Sequence, residues 1–295
     1  MKEANLIDIK INFASAESAR DYLKMEDKFL LNLSPFDRSA RLNTSREVNN
    51  LEFVDFISKQ TLNWDTNEKE NIINIMNEIM VALSEYNIFL PNEIIFITTT
   101  GLEEGGAAYC RANNIIVLPF FSHDTILHEL FHIYSRNNLK IQEVLYGILG
   151  FKKCNELLLP AEIFQYKITN PDTAHNNYCF PSMINGRNFN LMPILLSPSN
   201  YDEHKGGKFF SYVELHFIAV IDNGQNMVPI IENNNFLIYT LEQIPNDYGY
   251  DVMNTYYNIH PEEILADNFV YLITKEENLP NMELIERMKE ILKKS

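Results

Sequence analysis

The hydrophobic period of the chain changes near residue 93, and this change constrains the fold more than any other feature. Before it, apolar residues recur at helical spacing over 48–60 and 66–87, and Asp65 or Thr66 is the expected cap of the second helix. After it, EIIFITTT, AAYCR and NIIVLP are short strand-like runs rich in β-branched or aromatic residues and separated by turn residues. Helices followed by a small group of strands, and then by further helices, predict an α+β fold.

The last of these strands leads directly into an amphipathic helix, SHDTILHELFHIYSR. His128 and His132 are four residues apart, which on a helix means about 40° of rotation and roughly 6 Å of rise. Both imidazoles can therefore bind one metal ion, whereas Glu129 lies about 100° around the helix, within reach of a water on that ion. Bound zinc would activate this water, and Glu129 would accept its proton. The motif predicts one zinc ion per chain and hydrolysis of peptide bonds.

A catalytic zinc ion needs a third protein ligand. The pattern HExxHxxGxxH is excluded, because Ser135 stands at its glycine position and Asn138 at its third histidine. The best candidate is Glu263 in PEEILADNF, on a helix expected to begin at Pro261, and Asp267 shares its face four residues later. Three other residues are alternatives for the third ligand: Glu262, Glu156 and His175.

HELFH with the distant ExxAD resembles the gluzincin zinc metallopeptidases, the thermolysin-like and lethal-factor-like group. The resemblance implies that Glu263 is the third ligand and that Asp267 hydrogen-bonds a ligand histidine. It also implies a zincin-like fold: a small mixed sheet with an edge strand before the active-site helix, and a C-terminal lobe that carries the third ligand. NIIVLP would be the edge that pairs with an extended peptide substrate. Tyr256, seven positions before Glu263, would stabilise the transition state of an endopeptidase.

Changes of hydrophobic period divide the 295 residues into three parts of one catalytic unit. A mostly helical lobe at 1–90 precedes the sheet and the HExxH helix at 91–150, and the C-terminal lobe occupies 151–295. Ahead of the expected edge strand, Glu103 and Glu104 form an acidic pair. We expect a solvated loop there; the alternative is that the pair binds the amino terminus of a substrate, as in an aminopeptidase.

The composition limits the classes of partner and the cellular compartment that we expect for this protein. A net charge of −16, from 40 acidic and 24 basic residues, disfavours nucleic acid. Three cysteines without CxxC spacing predict free thiols rather than disulfides or a thiolate zinc site. The N-terminal sequence MKEANLIDIKINFASAES has no uninterrupted apolar core, and no stretch of the chain reads as a membrane span. We expect a cytoplasmic protein without a membrane partner, although export without a cleaved signal leaves the same sequence.

Two alternatives to a peptidase stay open. The first is a zincin-fold protein that binds peptides without cleaving them, against which the intact Glu129 argues. The second is an interaction protein in which HELFH is accidental, and this alternative predicts no bound metal and little loss of stability on chelation.

Overall fold

We analysed a computed structural model, which describes residues 9–244 and 254–295. The protein is α+β, as predicted, and forms two compact units. The first unit contains the described residues up to Asp27 together with Asn49–Gln142 and Ala266–Ser295. The second contains Lys28–Val48 and Glu143–Leu265. Both are assembled from segments that are distant in the sequence.

The helices of the described chain include those that the periodic segments of the sequence predict, together with several that were not predicted. They are α1 (Ala16–Lys24), α2 (Lys28–Asn32), α3 (Pro35–Arg41), α4 (Asn50–Ser58), α5 (Thr66–Leu83), α6 (His123–Asn137), α7 (Leu139–Ile148), α8 (Ala161–Phe164), α9 (Pro261–Thr274) and α10 (Met282–Lys294). The two helices predicted at 48–60 and 66–87 are α4 and α5. Asp65 caps α5 in a reciprocal pair of hydrogen bonds with Glu68, so the expected start is confirmed.

A mixed sheet forms the centre of the first unit. Its strands are β1 (Lys10–Phe13), β2 (Thr61–Leu62), β3 (Glu93–Thr99), β4 (Tyr109–Arg111) and β5 (Ile115–Leu118). The order is β1-β3-β5-β4, with β1, β3 and β5 parallel, β4 antiparallel to β5, and β2 antiparallel to β3. Residues of β3 and β5 are buried almost throughout, which explains their continuous apolar sequences.

The prediction that NIIVLP forms the sheet edge is wrong. Its strand, β5, lies between β3 and β4, and β4 is the last strand on this side of the described sheet. The chain reverses at Ala112, whose φ of 48° is left-handed, and this tight turn pairs Tyr109 with Val117. The reversal brings the AYCR segment to the outside. The edge strand is therefore β4, and β5 follows it in the chain before the active-site helix α6.

The helices of the first unit pack on this sheet and on each other through aromatic and aliphatic residues. The Phe131 ring of α6 lies 5.3 Å from the Phe269 ring of α9, measured between centroids. In α10 the buried residues are Leu284, Ile285, Met288 and Leu292. Apolar residues recur at helical spacing in NMELIERMKEILKK, which predicts that this face packs against the core. The final helix does so, although Met282 on the same face is 38% exposed.

An antiparallel sheet forms the centre of the second unit. The strands of this unit are β6 (Lys152–Lys153), β7 (Tyr178–Ile184), β8 (Arg187–Leu196), β9 (Glu214–Asp222), β10 (Met227–Pro229), β11 (Ile231–Glu232), β12 (Asn235–Phe236) and β13 (Ile238–Thr240). The main order is β10-β9-β8-β7-β6, β13 also pairs with β9, and β11 and β12 pair separately. The short runs MPILLS, FFSYVELHFIAVI and NNFLIYTLE, rich in β-branched and aromatic residues, predict strands. They contain residues of β8, of β9, and of β12 and β13, except that Phe209–Tyr212 forms a 3-10 turn.

A buried ion pair anchors the loop that follows α8 in the second unit. Asp37 and Arg41 of α3 form a 2.6 Å salt bridge, and both side chains are at most 1% exposed. Arg41 Nη2 donates to the main-chain oxygen of Thr169, and Asp37 Oδ1 accepts from the Thr169 N–H. Because both partners hold Thr169, the main chain on either side of it has a fixed position.

Across residues 9–244 and 254–295, no helix combines the length and the apolar character that crossing a bilayer requires. Residues 1–8, which belong to the N-terminal segment we inspected for a signal, lie outside the described residues. Cys110, Cys154 and Cys179 are free thiols.

Candidate metal centre

The histidines of HELFH lie on successive turns of α6. Ser122 caps this helix by accepting from the Thr125 N–H, and apolar residues such as Leu127 and Phe131 fix it in the core. The ring centroids of His128 and His132 are 4.8 Å apart, with the rings nearly perpendicular. Helical spacing therefore brings the two imidazoles together.

Asp267 of α9 contacts the first histidine. Its Oδ1 lies 3.0 Å from Nδ1 of His128. When Nδ1 carries the proton and donates it to this carboxylate, the lone pair of His128 is on Nε2, which is the arrangement a metal ligand requires. The carboxylate therefore fixes both the tautomer and the ring orientation of His128.

Glu263 lies one turn before Asp267 on the same helix, and its side chain is buried. Because α9 is continuous, the position of Asp267 beside His128 also determines where the preceding turn lies. One ligand atom each from His128, His132 and Glu263 lies within 4.8 Å of the others. Ligands at the usual distances around a tetrahedral zinc ion are about 3.4 Å apart, so small side-chain rotations suffice. Two imidazoles and one carboxylate are also a donor set that catalytic zinc uses.

Asn170 holds the carboxylate of Glu263, a contact that the sequence did not predict. Its Nδ2 donates to Glu263 Oε1 over 2.6 Å, while its Oδ1 accepts from the Asp172 N–H over 2.9 Å. The second bond identifies which side of the amide is oxygen, so the nitrogen faces Glu263. Asn170 directly follows the anchored Thr169. The only sequence signal was an asparagine before a proline, which indicates a turn and not a partner.

The three alternative ligands have other partners within the second unit. Tyr146 donates its hydroxyl proton to Glu262 over 2.6 Å, and burial, followed by this carboxylate, raises the pKa of Tyr146 well above its ordinary value. Glu156 accepts from the Asn176 N–H and pairs with Nδ1 of His175 at 2.7 Å. Burial has the largest effect on the pKa of Glu156 and raises it, yet the hydrogen bonds together prevail and lower it.

Glu129 is buried beside a thiol of the edge strand. Cys110 Sγ lies 3.1 Å from Glu129 Oε2 and 3.3 Å from the Glu129 main-chain oxygen. A thiol has one proton, so it donates to one of these acceptors at a time. Cys110 itself is fully buried. The sequence predicts only a free thiol at Cys110, because a three-residue strand does not reveal which of its faces meets α6.

Three other predicted features are Tyr256, His260 and the acidic pair Glu103 and Glu104. Tyr256 is fully exposed, and its proposed role stays a prediction. His260 Nδ1 accepts from the Glu262 N–H and so caps the start of α9. Our expectation of a solvated acidic loop is wrong, because Glu103 and Glu104 are 2% and 3% exposed. Glu103 accepts from the Thr99 hydroxyl, and burial raises the pKa of its carboxyl group.

Comparisons with models of known families, with curated proteins and with solved structures find no match. The interpretation of this site therefore depends on its own geometry and chemistry.

Proposed function

We propose that this protein is a zinc-dependent peptidase of the gluzincin type with a zincin-like fold. His128, His132 and Glu263 are its metal ligands, and Glu129 is its general base. The observation that carries the proposal is the convergence of the three ligand atoms within 4.8 Å. The Asp267 carboxylate on His128 and the Asn170 amide on Glu263 support it, because catalytic metal ligands are oriented by such partners.

The residues of the chain divide the chemistry among them. Zinc, when bound, supplies a Lewis acid that polarises the scissile carbonyl and lowers the pKa of a water molecule. Glu129 accepts the proton of this water and later delivers it to the leaving amine. Cys110 orients the Glu129 carboxylate through Oε2, and Asp267 maintains the tautomer of His128.

Metal analysis of the purified protein tests the ligand set. We expect about one zinc ion per chain, and its loss in His128→Ala and in Glu263→Ala. The matched control is His123→Ala, which removes a half-buried histidine from the first turn of the same helix and should keep the metal. If Glu263→Ala binds zinc as tightly as the natural protein does, Glu263 is not the third ligand.

Digestion of a diverse peptide library tests turnover. Glu129→Gln should retain zinc and lose cleavage, because an amide cannot accept the proton. Asp124→Asn, a neutralised and exposed carboxylate on the same helix, should cleave normally. Equal activity of Glu129→Gln and the natural protein would exclude Glu129 as the base. If the protein binds peptides without cleaving them, the alternative of a non-catalytic peptide-binding protein is favoured. If it binds no zinc, the alternative of an interaction protein with an accidental HELFH is favoured.

A further inference from the structure

A small cavity in the second unit adjoins the residue that holds Glu263. Its volume is about 20 Å³, and among the residues that line it are Lys167, Thr169, Asn170, Asn176 and His260. A single water molecule needs roughly 10–15 Å³ of such space. The cavity therefore has room for one or two waters or for one small planar group, and Asn170 connects it to the proposed metal ligand.

Lys167 gives this cavity a buried positive charge. Lys167 is 5% exposed, and within the described chain its Nζ has one hydrogen bond, to Thr169 Oγ1 at 3.3 Å. An ammonium group has three donors, and a buried cation is costly unless acceptors or an anion compensate it. One long bond to a neutral hydroxyl satisfies only part of this demand.

The two carboxylates whose charges act on Lys167 are bound to other groups. Asp37 pairs with Arg41 and accepts from the Thr169 N–H, and Glu156 pairs with His175. Burial lowers the pKa of Lys167, and the charges of Asp37 and Glu156 oppose that change. Asp37 and Glu156 therefore act on Lys167 electrostatically, and within the described residues Nζ forms no salt bridge.

His260 also lines this cavity, and its Nδ1 accepts from the Glu262 N–H, which fixes the ring in the wall. The Asn176 amide donates to the main-chain oxygen of Pro193 and thus fixes another part of the wall. A buried lysine in the wall of a cavity this small matches the size and charge of a carboxylate.

We infer that this cavity is a subsite that binds a carboxylate of the substrate peptide, with Lys167 as its main contact. The inference rests on the proposed peptidase function and adds a substrate class to it, namely peptides that carry a carboxylate close to the bond that is cut. An acidic side chain and the C-terminal carboxylate offer the same chemistry, and the test distinguishes the two.

The test uses synthetic octapeptide libraries in which each position in turn is fixed as Glu or as Gln, with the carboxyl terminus free or amidated. If the subsite binds an acidic side chain, we expect the zinc-loaded protein to cleave the Glu library at least tenfold faster than the Gln library at one position. If it binds the C-terminal carboxylate, we expect the same preference for peptides with a free carboxyl terminus over amidated peptides. A tenfold difference is what a hydrogen bond to a charged group implies. Lys167→Met should abolish this preference while zinc content stays the same. The control Lys153→Met, an exposed lysine of the same unit, should preserve it.

Two further measurements keep the result decisive. If Lys167→Met does not fold, Lys167→Gln removes the charge but keeps a polar group, and the preference of the natural protein is already informative by itself. Capture of the same libraries on immobilised Glu129→Gln protein reports binding without turnover. Selective capture of carboxylate libraries without cleavage by the natural protein supports the subsite and refutes the peptidase. Cleavage without a carboxylate preference overturns the subsite alone, and equal capture with no cleavage overturns both.

Discussion

Replacing Asn170 with alanine should weaken zinc binding without removing any metal ligand. The substitution deletes the amide that donates to Glu263 Oε1 over 2.6 Å and leaves that buried carboxylate without this donor. A hydrogen bond to a charged group contributes about 1.5–3 kcal/mol. At about 1.4 kcal/mol per tenfold change, the zinc dissociation constant should rise by roughly 10- to 100-fold.

Competition with a chelator of known affinity measures this change, on protein whose folding has been checked by thermal unfolding in the absence of metal. The matched control is Asn176→Ala in the same loop, whose amide donates to Pro193 rather than to Glu263. It should bind zinc like the natural protein. A dissociation constant for Asn170→Ala within twofold of that protein would refute the role of Asn170, and equal losses in both variants would trace the effect to the loop in general.

Three further perturbations have defined outcomes. Cys110→Ala removes the thiol beside Glu129 Oε2, so kcat should fall about fivefold, the equivalent of about 1 kcal/mol, with zinc content unchanged. Cys110→Ser keeps a donor and should retain most activity, and equal losses in both variants would exclude the hydrogen bond as the cause. Asp37→Asn leaves Arg41 buried without its carboxylate and should lower the free energy of unfolding in urea by about 3–5 kcal/mol; a loss below about 1 kcal/mol contradicts this reasoning. Burial raises the pKa of Glu156, but its hydrogen bonds from His175 and Asn176 prevail and lower it. A carboxylate with a lowered pKa stabilises the fold above its unfolded value of about 4.3, and this contribution is lost as the pH falls through the folded value. The melting temperature of Glu156→Gln should therefore decline less steeply below about pH 4.3 than that of the natural protein, and superimposable curves would disprove the assignment.

Part of the fold follows directly from local sequence. Helices α5, α6 and α9 were predicted because apolar residues repeat at helical spacing and because Asp65 and Pro261 are favourable at helix starts. Strand β3 was predicted from its β-branched run. The order of the strands was not, since β4 and β5 are both short apolar runs and only their pairing decides which of them lies at the edge.

The sequence also does not predict which polar side chains are buried. The acidic pair Glu103 and Glu104 has the composition of a solvated loop, yet both residues are buried, and the Thr99 hydroxyl binds Glu103. The charged groups Asp37, Arg41 and Lys167 gave no sequence signal either. Asp37 and Arg41 are buried because Thr169, far along the chain, contacts both of them there. A sequence window contains only one side of these contacts.

In the candidate site, too, local sequence determines some of the contacts and the tertiary structure determines the others. The sequence by itself determined that His128 and His132 share a helical face with Glu129 next to them, and that Glu263 and Asp267 lie one turn apart, because residues four positions apart on a helix are neighbours whatever surrounds them. Only the tertiary structure decided that Asp267 meets His128, that Asn170 holds Glu263, and that Cys110 lies against Glu129. These contacts join residues 19 to 139 positions apart, and chain folding, not helical periodicity, determines such distances.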